Sequence, residues 1–160
     1  MDRKDWRAIV ASSLGWEEGH SSLDSAAKGL APALRGERPE GYPHSPWELV
    51  EHIRITQRDL LDFCRDPEYV EKLEWPRDYW PTSPGPPSPA AWDETIAGYK
   101  SDRDAFARFT TETNIDLTAK IPHGKGQTYL RTILLAVDHA SYHVGQLVSV
   151  RRLLGAWPVK

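Results

Sequence analysis

A chain of 160 residues with 20 Lys and Arg against 23 Asp and Glu, a formal charge of −3, lacks the basic excess of a nucleic-acid surface. Its 39% hydrophobic and 27% charged residues predict one globular domain, residues 1–160, with a sizeable core. The single cysteine, Cys64, excludes an internal disulfide and a multi-cysteine zinc site, and fits a reducing cytoplasm.

The charged start, Met1 to Trp6, has no apolar stretch of the signal-peptide kind, and no run is long enough for a membrane span. Asp2 to Leu14 predicts a first helix, with Asp2 as its cap and Trp6, Ile9, Val10 and Leu14 as a narrow apolar stripe. Ser21 or Ser22 caps a second piece through Leu23, Ala26, Ala27 and Leu30, stopped by Pro32. Gly15 and Gly19 leave open whether the two form one bent helix. Arg35 to His44, with Gly36, Pro39, Gly41 and Pro43, reads as loop.

Ser45-Pro46-Trp47-Glu48 is the clearest helix start: Ser45 as N-cap, Pro46 at N1 and Glu48 at N3 make a capping box. Leu49, Val50, Ile53, Leu60, Leu61 and Cys64 follow at helical spacing until Asp66-Pro67, and His52 lies at the edge of that apolar arc. Leu73 to Pro89 holds Trp75-Pro76, Tyr79-Trp80-Pro81, Pro84, Pro86, Pro87 and Pro89, which excludes regular helix or a central strand. Its aromatic residues predict an ordered connection wrapped on the domain, because such rings are better buried. Ser88-Pro89 predicts another capped start, with Trp92, Ile96, Tyr99, Phe106 and Phe109 inward and Asp93, Glu94, Lys100, Asp102 and Asp104 solvated.

Asn114 to Gln127 reads as a connection. Thr128 to Leu154 then predicts the longest helix, with Leu130, Ile133, Leu134, Val137, Ala140, Val144, Leu147 and Val148 on its buried face. Gly155 as C′ residue and Pro158 beyond it stop that helix. With no convincing strand and no repeat, four principal helices and two long connections predict an all-α bundle.

His139 and His143 stand at i, i+4, which stacks their imidazoles on the flank of the apolar arc and lets two nitrogens aim at one point. HxxxH by itself also fits an ordinary surface or core pair. His52 is the natural third ligand, since it flanks the core face of a second strong helix; its other reading is an interface histidine bonded to a neighbour. Three neutral nitrogens would leave a metal its full charge and an open position for a water or a thiolate. His20 and His123, in less regular segments, are candidates for a fourth ligand or an acid/base, or are plain loop histidines. Asp138 and Glu51 point about 100° away from the neighbouring ligands and read as solvated or supporting groups. Tyr142 and Gln146, close to His143 along the helix, either donate to a substrate or serve the helix interface. Arg151 and Arg152 read as surface or dimer-interface charge, and Cys64 as a buried small hydrophobe. A phosphate loop, a serine elbow and HExxH are all absent.

The run Asp138-His139-Ala140-Ser141-Tyr142-His143-Val144-Gly145-Gln146-Leu147, with Arg151-Arg152 after it, resembles the last helix of DinB-like proteins, the DinB/YfiT superfamily. Ser45-Pro46-Trp47-Glu48-Leu49-Val50-Glu51-His52-Ile53 resembles that family's second helix, including its metal-binding histidine. The resemblance covers most of the chain from about His20 onward. It implies a four-helix bundle of up-down-down-up topology, often dimeric, with zinc, nickel or another divalent metal held by His52, His139 and His143. It further implies a small-molecule substrate: some members resemble S-transferases or isomerases using low-molecular-weight thiols, others are described as metal-dependent hydrolases, and many have no known reaction. The expectation is a metal-dependent enzyme of thiol-transfer type. Hydrolysis by a metal-bound hydroxide is the alternative within enzymes, and a non-catalytic metal-binding or sensing bundle is the alternative outside them. No general base is evident beside the three histidines.

Overall fold

A computed structural model describes residues 3–158, with no side-chain description for residues 3–5. The described residues form five α-helices: α1, Arg3–Ser13; α2, Leu23–Ala27; α3, Pro46–Arg65; α4, Ala91–Thr111; and α5, Tyr129–Leu153. There is no strand among the described residues, and one isolated bridge pairs Lys120 with Thr128. The predicted cap at Asp2 lies outside the described residues. The first two pieces are separate helices, and Ser22 rather than Ser21 caps α2, its hydroxyl accepting from the Ser25 amide at 3.2 Å.

The local signals act where backbone groups need partners. Ser45 Oγ accepts from the Glu48 amide at 3.2 Å, and Glu48 accepts from the Ser45 amide at 2.8 Å, so two open donors at the start of α3 are satisfied reciprocally. The Thr128 hydroxyl caps α5 through the Arg131 amide at 3.2 Å. Gly155 closes α5 at φ +66°, a left-handed conformation that a side chain would strain. Ser88 does not start α4 in the same way. Its hydroxyl accepts from the Ala91 amide at 3.1 Å within a turn, and α4 begins after Ala90, which has no side-chain cap.

α3 is central, packing on both α4 and α5, while α1 lies against α4. Glu51 meets Thr95, Gln57 meets Tyr99 and Arg58 meets Asp102, so α3 and α4 advance in the same direction. His52 meets His143 and Cys64 meets Thr132, so α5 runs antiparallel to α3. Arg7 reaches the Thr110 carbonyl while Gly15 lies against Arg103, so α1 opposes α4.

Two apolar clusters fill the interior. One joins Leu49, Val50 and Ile53 to Val144, Leu147 and Val150, with α2 and Trp92 against them. The other joins Leu61 and Cys64 to Phe106, Ile133 and Ala136. It also takes Leu117 and Ile121 from the connection before α5, both fully buried. At about 1.5–3 kcal/mol for each buried side chain of this size, those two residues tie an irregular segment into the core.

Several expected placements differ. Ile9 and Leu134 face solvent at 46% and 48% exposure, because each sits at the rim of its helix's apolar arc, where no neighbouring element covers it. Asp102 is buried, its carboxylate accepting from Arg58 at 3.3 Å across α3 and α4. Arg151 is not surface charge: it is 2% exposed, and its guanidinium donates to the carbonyls of Ala26, Lys28 (3.0 Å) and Ala156 (2.7 and 3.1 Å), beneath the Trp157 ring. The end of α2 presents carbonyls with no helical partner, and a planar five-donor cation suits them. Arg152 is exposed, as expected.

The Trp/Pro segment is an ordered strap over the seam between α3 and α5. Tyr79 is buried and Trp80 partly buried, whereas Trp75 stays 64% exposed. Ser45 Oγ donates to the Pro84 carbonyl, and Gly36 passes so close to Gly85 that an added Cβ would lie 2.9 Å from its Cα. Among the described residues no helix is long and apolar enough to cross a membrane.

Candidate metal centre

The seam between α3 and α5 carries three imidazoles in its interior. His139 and His143, one helical turn apart on α5, have ring centroids 4.5 Å apart, and His52 of α3 lies 4.8 and 4.5 Å from them. His52 Nε2 stands 3.0 Å from His139 Nε2 and 3.2 Å from His143 Nε2. One nitrogen from each of the three lies within 4.8 Å of the others.

Their supports decide what these nitrogens offer. His52 Nδ1–H donates to the Tyr79 backbone carbonyl at 2.7 Å, and His143 Nδ1–H donates to Gln146 Oε1 at 2.6 Å. Each neutral ring carries one N–H, so both Nε2 atoms present lone pairs. Two acceptors 3.2 Å apart do not hydrogen-bond to each other; a cation between them satisfies both. Two nitrogens on one tetrahedral zinc at about 2.0–2.1 Å stand roughly 3.3 Å apart, close to the spacing found here. The donor set therefore fits a divalent metal.

Burial keeps the rings neutral. It is the first cause lowering His52 to about 4, with His143 and His44 adding to it and the Tyr79 carbonyl opposing it. Burial and the neighbouring rings lower His139 to about 3. Burial lowers His143 as well, against the Gln146 bond. Each neutral ring keeps one lone-pair nitrogen at neutral pH, as metal ligation requires.

Trp80 lies flat on His52, centroids 3.9 Å apart and planes 3° apart, and His44 stacks on its other face at 4.1 Å and 9°. Trp75 and Tyr142, both largely exposed, stand beside His52 and His143 at 6.4 and 4.9 Å. The rim of the centre is aromatic, and the group of potential ligands contains no carboxylate.

The other candidates are placed elsewhere. His123 bonds the Phe63 carbonyl at 2.9 Å beside Tyr69, and exposed His20 bonds the Ser21 carbonyl at 2.9 Å; neither belongs to the cluster. Glu51 holds Arg54 and accepts from Thr95 at 2.8 Å, on the α4 side, and Asp138 is exposed. Gln146 orients His143 through its Oε1, and its Nε2 reaches the Tyr142 hydroxyl at 3.3 Å. Cys64 is buried, and burial pushes its thiol up to about 12. Sequence reasoning missed His44 and Trp80. No spacing marks either one, since each reaches the site from a loop.

No curated protein and no solved structure gives a significant match to the chain. A family model described as the DinB superfamily matches residues 16–147, a span that holds α2 to most of α5, all three clustered histidines and Gln146. With that match over most of its length, the chain belongs to the DinB superfamily.

Proposed function

We propose that the protein holds one divalent metal ion, zinc or nickel, through Nε2 of His52, His139 and His143, and is an enzyme transferring a low-molecular-weight thiol to a small electrophile. One observation carries the reading: three neutral imidazoles, His52 and His143 buried and His139 partly buried, converge on a point, and two of them are fixed in the ligating tautomer by Tyr79 and Gln146. When bound, such a metal supplies a Lewis acid that lowers the pKa of a coordinated thiol or water. The chain's own residues hold the imidazoles neutral, fix their orientation and screen one face with Trp80. Thiol transfer is favoured over hydrolysis because the ligand group contains no carboxylate to serve as a base for water. His44, the remaining nearby imidazole, is separated from His52 by the Trp80 indole.

The up-down-down-up bundle is part of this reading, supported by the directions in which α1, α3, α4 and α5 meet. So is a homodimer, supported by the exposed apolar side chains Leu134, Tyr142 and Leu153 on α5. The test is an assay of the metal-loaded protein against thiols paired with electrophiles, and against esters and amides. Thiol-dependent turnover is expected. Thiol-independent hydrolysis would replace the reaction with the alternative, and silence in both panels, with metal bound, would leave a binding or sensing bundle.

A further inference from the structure

We propose that Asp59 is a positioning residue for the three-histidine centre, acting on His52 through Tyr79; the inference rests on the metal reading of that centre. Asp59 lies on α3 about two turns beyond His52. Each of its carboxylate oxygens accepts a tyrosine hydroxyl from the connection between α3 and α4, Tyr69 at 2.8 Å and, within the strap, Tyr79 at 2.7 Å. Among the described residues no lysine or arginine forms an ion pair with it, so its charge is directed at those two hydroxyls. Hydrogen bonds from a hydroxyl to a carboxylate are among the strong ones. Burial first, and then the Asp59 bond, push both phenols well above the ordinary tyrosine range, which keeps them donors.

Tyr79 is gripped at both ends by the same helix. Its hydroxyl is held by Asp59, and its backbone carbonyl accepts from His52 Nδ1 at 2.7 Å. The next residue is Trp80, whose indole lies on the His52 ring. The strap around them is rich in proline and has few backbone bonds of its own, the nearest being Asp78 to Glu74 at 3.0 Å and Tyr79 to Pro76 at 3.3 Å. The Asp59–Tyr79 bond therefore sets where the carbonyl and the indole sit. Those two groups in turn fix the tautomer and the plane of His52. Groups that orient a ligating histidine govern metal affinity even though they do not touch the metal.

The experiment has two readouts on the full chain. The first is the tautomer of His52 in the metal-free protein, from the nitrogen shifts of its imidazole. The second is the Kd for zinc and nickel ions by competition with a chelator. In the wild type His52 is expected with its proton on Nδ1. Tyr79→Phe, which removes a single hydroxyl, is expected to shift it to a mixture of tautomers and to raise Kd about 10–100-fold. Asp59→Asn should move both readouts in the same direction, and adding it to Tyr79→Phe should cost little more, because the two act as a unit. Tyr69→Phe should leave both near wild type. The inference is overturned if Tyr79→Phe lowers the thermal stability of the metal-free protein while the tautomer and Kd stay at wild type, since Asp59 would then only anchor the strap. A wild type that takes up neither ion would defeat the metal reading, and the tautomer comparison would still decide whether Asp59 orients His52.

Discussion

Two places on α3 show burial acting on different chemistry. At Cys64 the surroundings are apolar, and burial pushes the thiol up to about 12. At His52 burial pushes the imidazole down to about 4. Both groups become neutral, for the same reason: a charged form loses its hydration. The consequences are opposite. A neutral thiol has lost the form that attacks or ligates, whereas a neutral imidazole keeps the lone pair a metal needs. Desolvation, the largest cause at both places, therefore makes one end of the seam inert and prepares the other.

The largest effect should separate the two places by substitution. His52→Ala, His139→Ala and His143→Ala are each expected to weaken metal binding by more than the ~10–100-fold that loss of a supporting partner costs. Cys64→Ala, His20→Ala and His123→Ala should keep a full complement. Metal content per chain after dialysis reads this directly. If Cys64→Ala empties the site while His52→Ala does not, the comparison is reversed.

A smaller effect tests the support of a single ligand. Gln146→Ala removes the acceptor from His143 Nδ1 and should weaken metal binding about tenfold, without unfolding the chain, since Gln146 is only partly buried. Chelator competition measures it. An unchanged affinity would mean that packing alone orients His143.

The third prediction follows the pKa shifts of His52, His139 and Cys64 in the metal-free protein. The unfolded chain binds protons on its histidines below about pH 6.5, while folded His52 and His139 resist protonation down to about 4 and about 3. Stability should thus be intact above pH 6.5 and fall as the pH drops toward 4. For Cys64 the sign is opposite: the folded thiol stays protonated toward about 12 while the unfolded one ionises near its ordinary value of 9.0, so stability falls as pH rises through that window. Urea unfolding across pH should show both limbs. Cys64→Ala should make the alkaline limb shallower and leave the acid limb in place.

The residues that were legible in the sequence share one property: their partners are local. Ser45 and Glu48 answer open amides three residues away, Gly155 answers the end of its own helix, and His139 and His143 are brought together by the helical period itself. The pairing of His52 with them was legible only as a direction, from its place at the edge of an apolar arc. Misplaced residues failed where a distant element supplies the environment. Arg151 reads as surface charge until the end of α2 offers it carbonyls, and Asp102 reads as solvated until Arg58 reaches it.

By itself, then, the sequence determined an all-helical chain, the start of α3, the cap and stop of α5, and a pair of imidazoles on one face. These depend on backbone bonds and periodicity within a few residues. Only the tertiary structure decided that Tyr79 presents a carbonyl to His52, that Trp80 is held between His44 and His52, and that Gln146 turns toward His143 rather than solvent. The first two need a proline-rich strap, which lacks a period to betray its path, to cross the seam between α3 and α5. The third is a rotamer choice, settled by which neighbour needs an acceptor once the rings are buried.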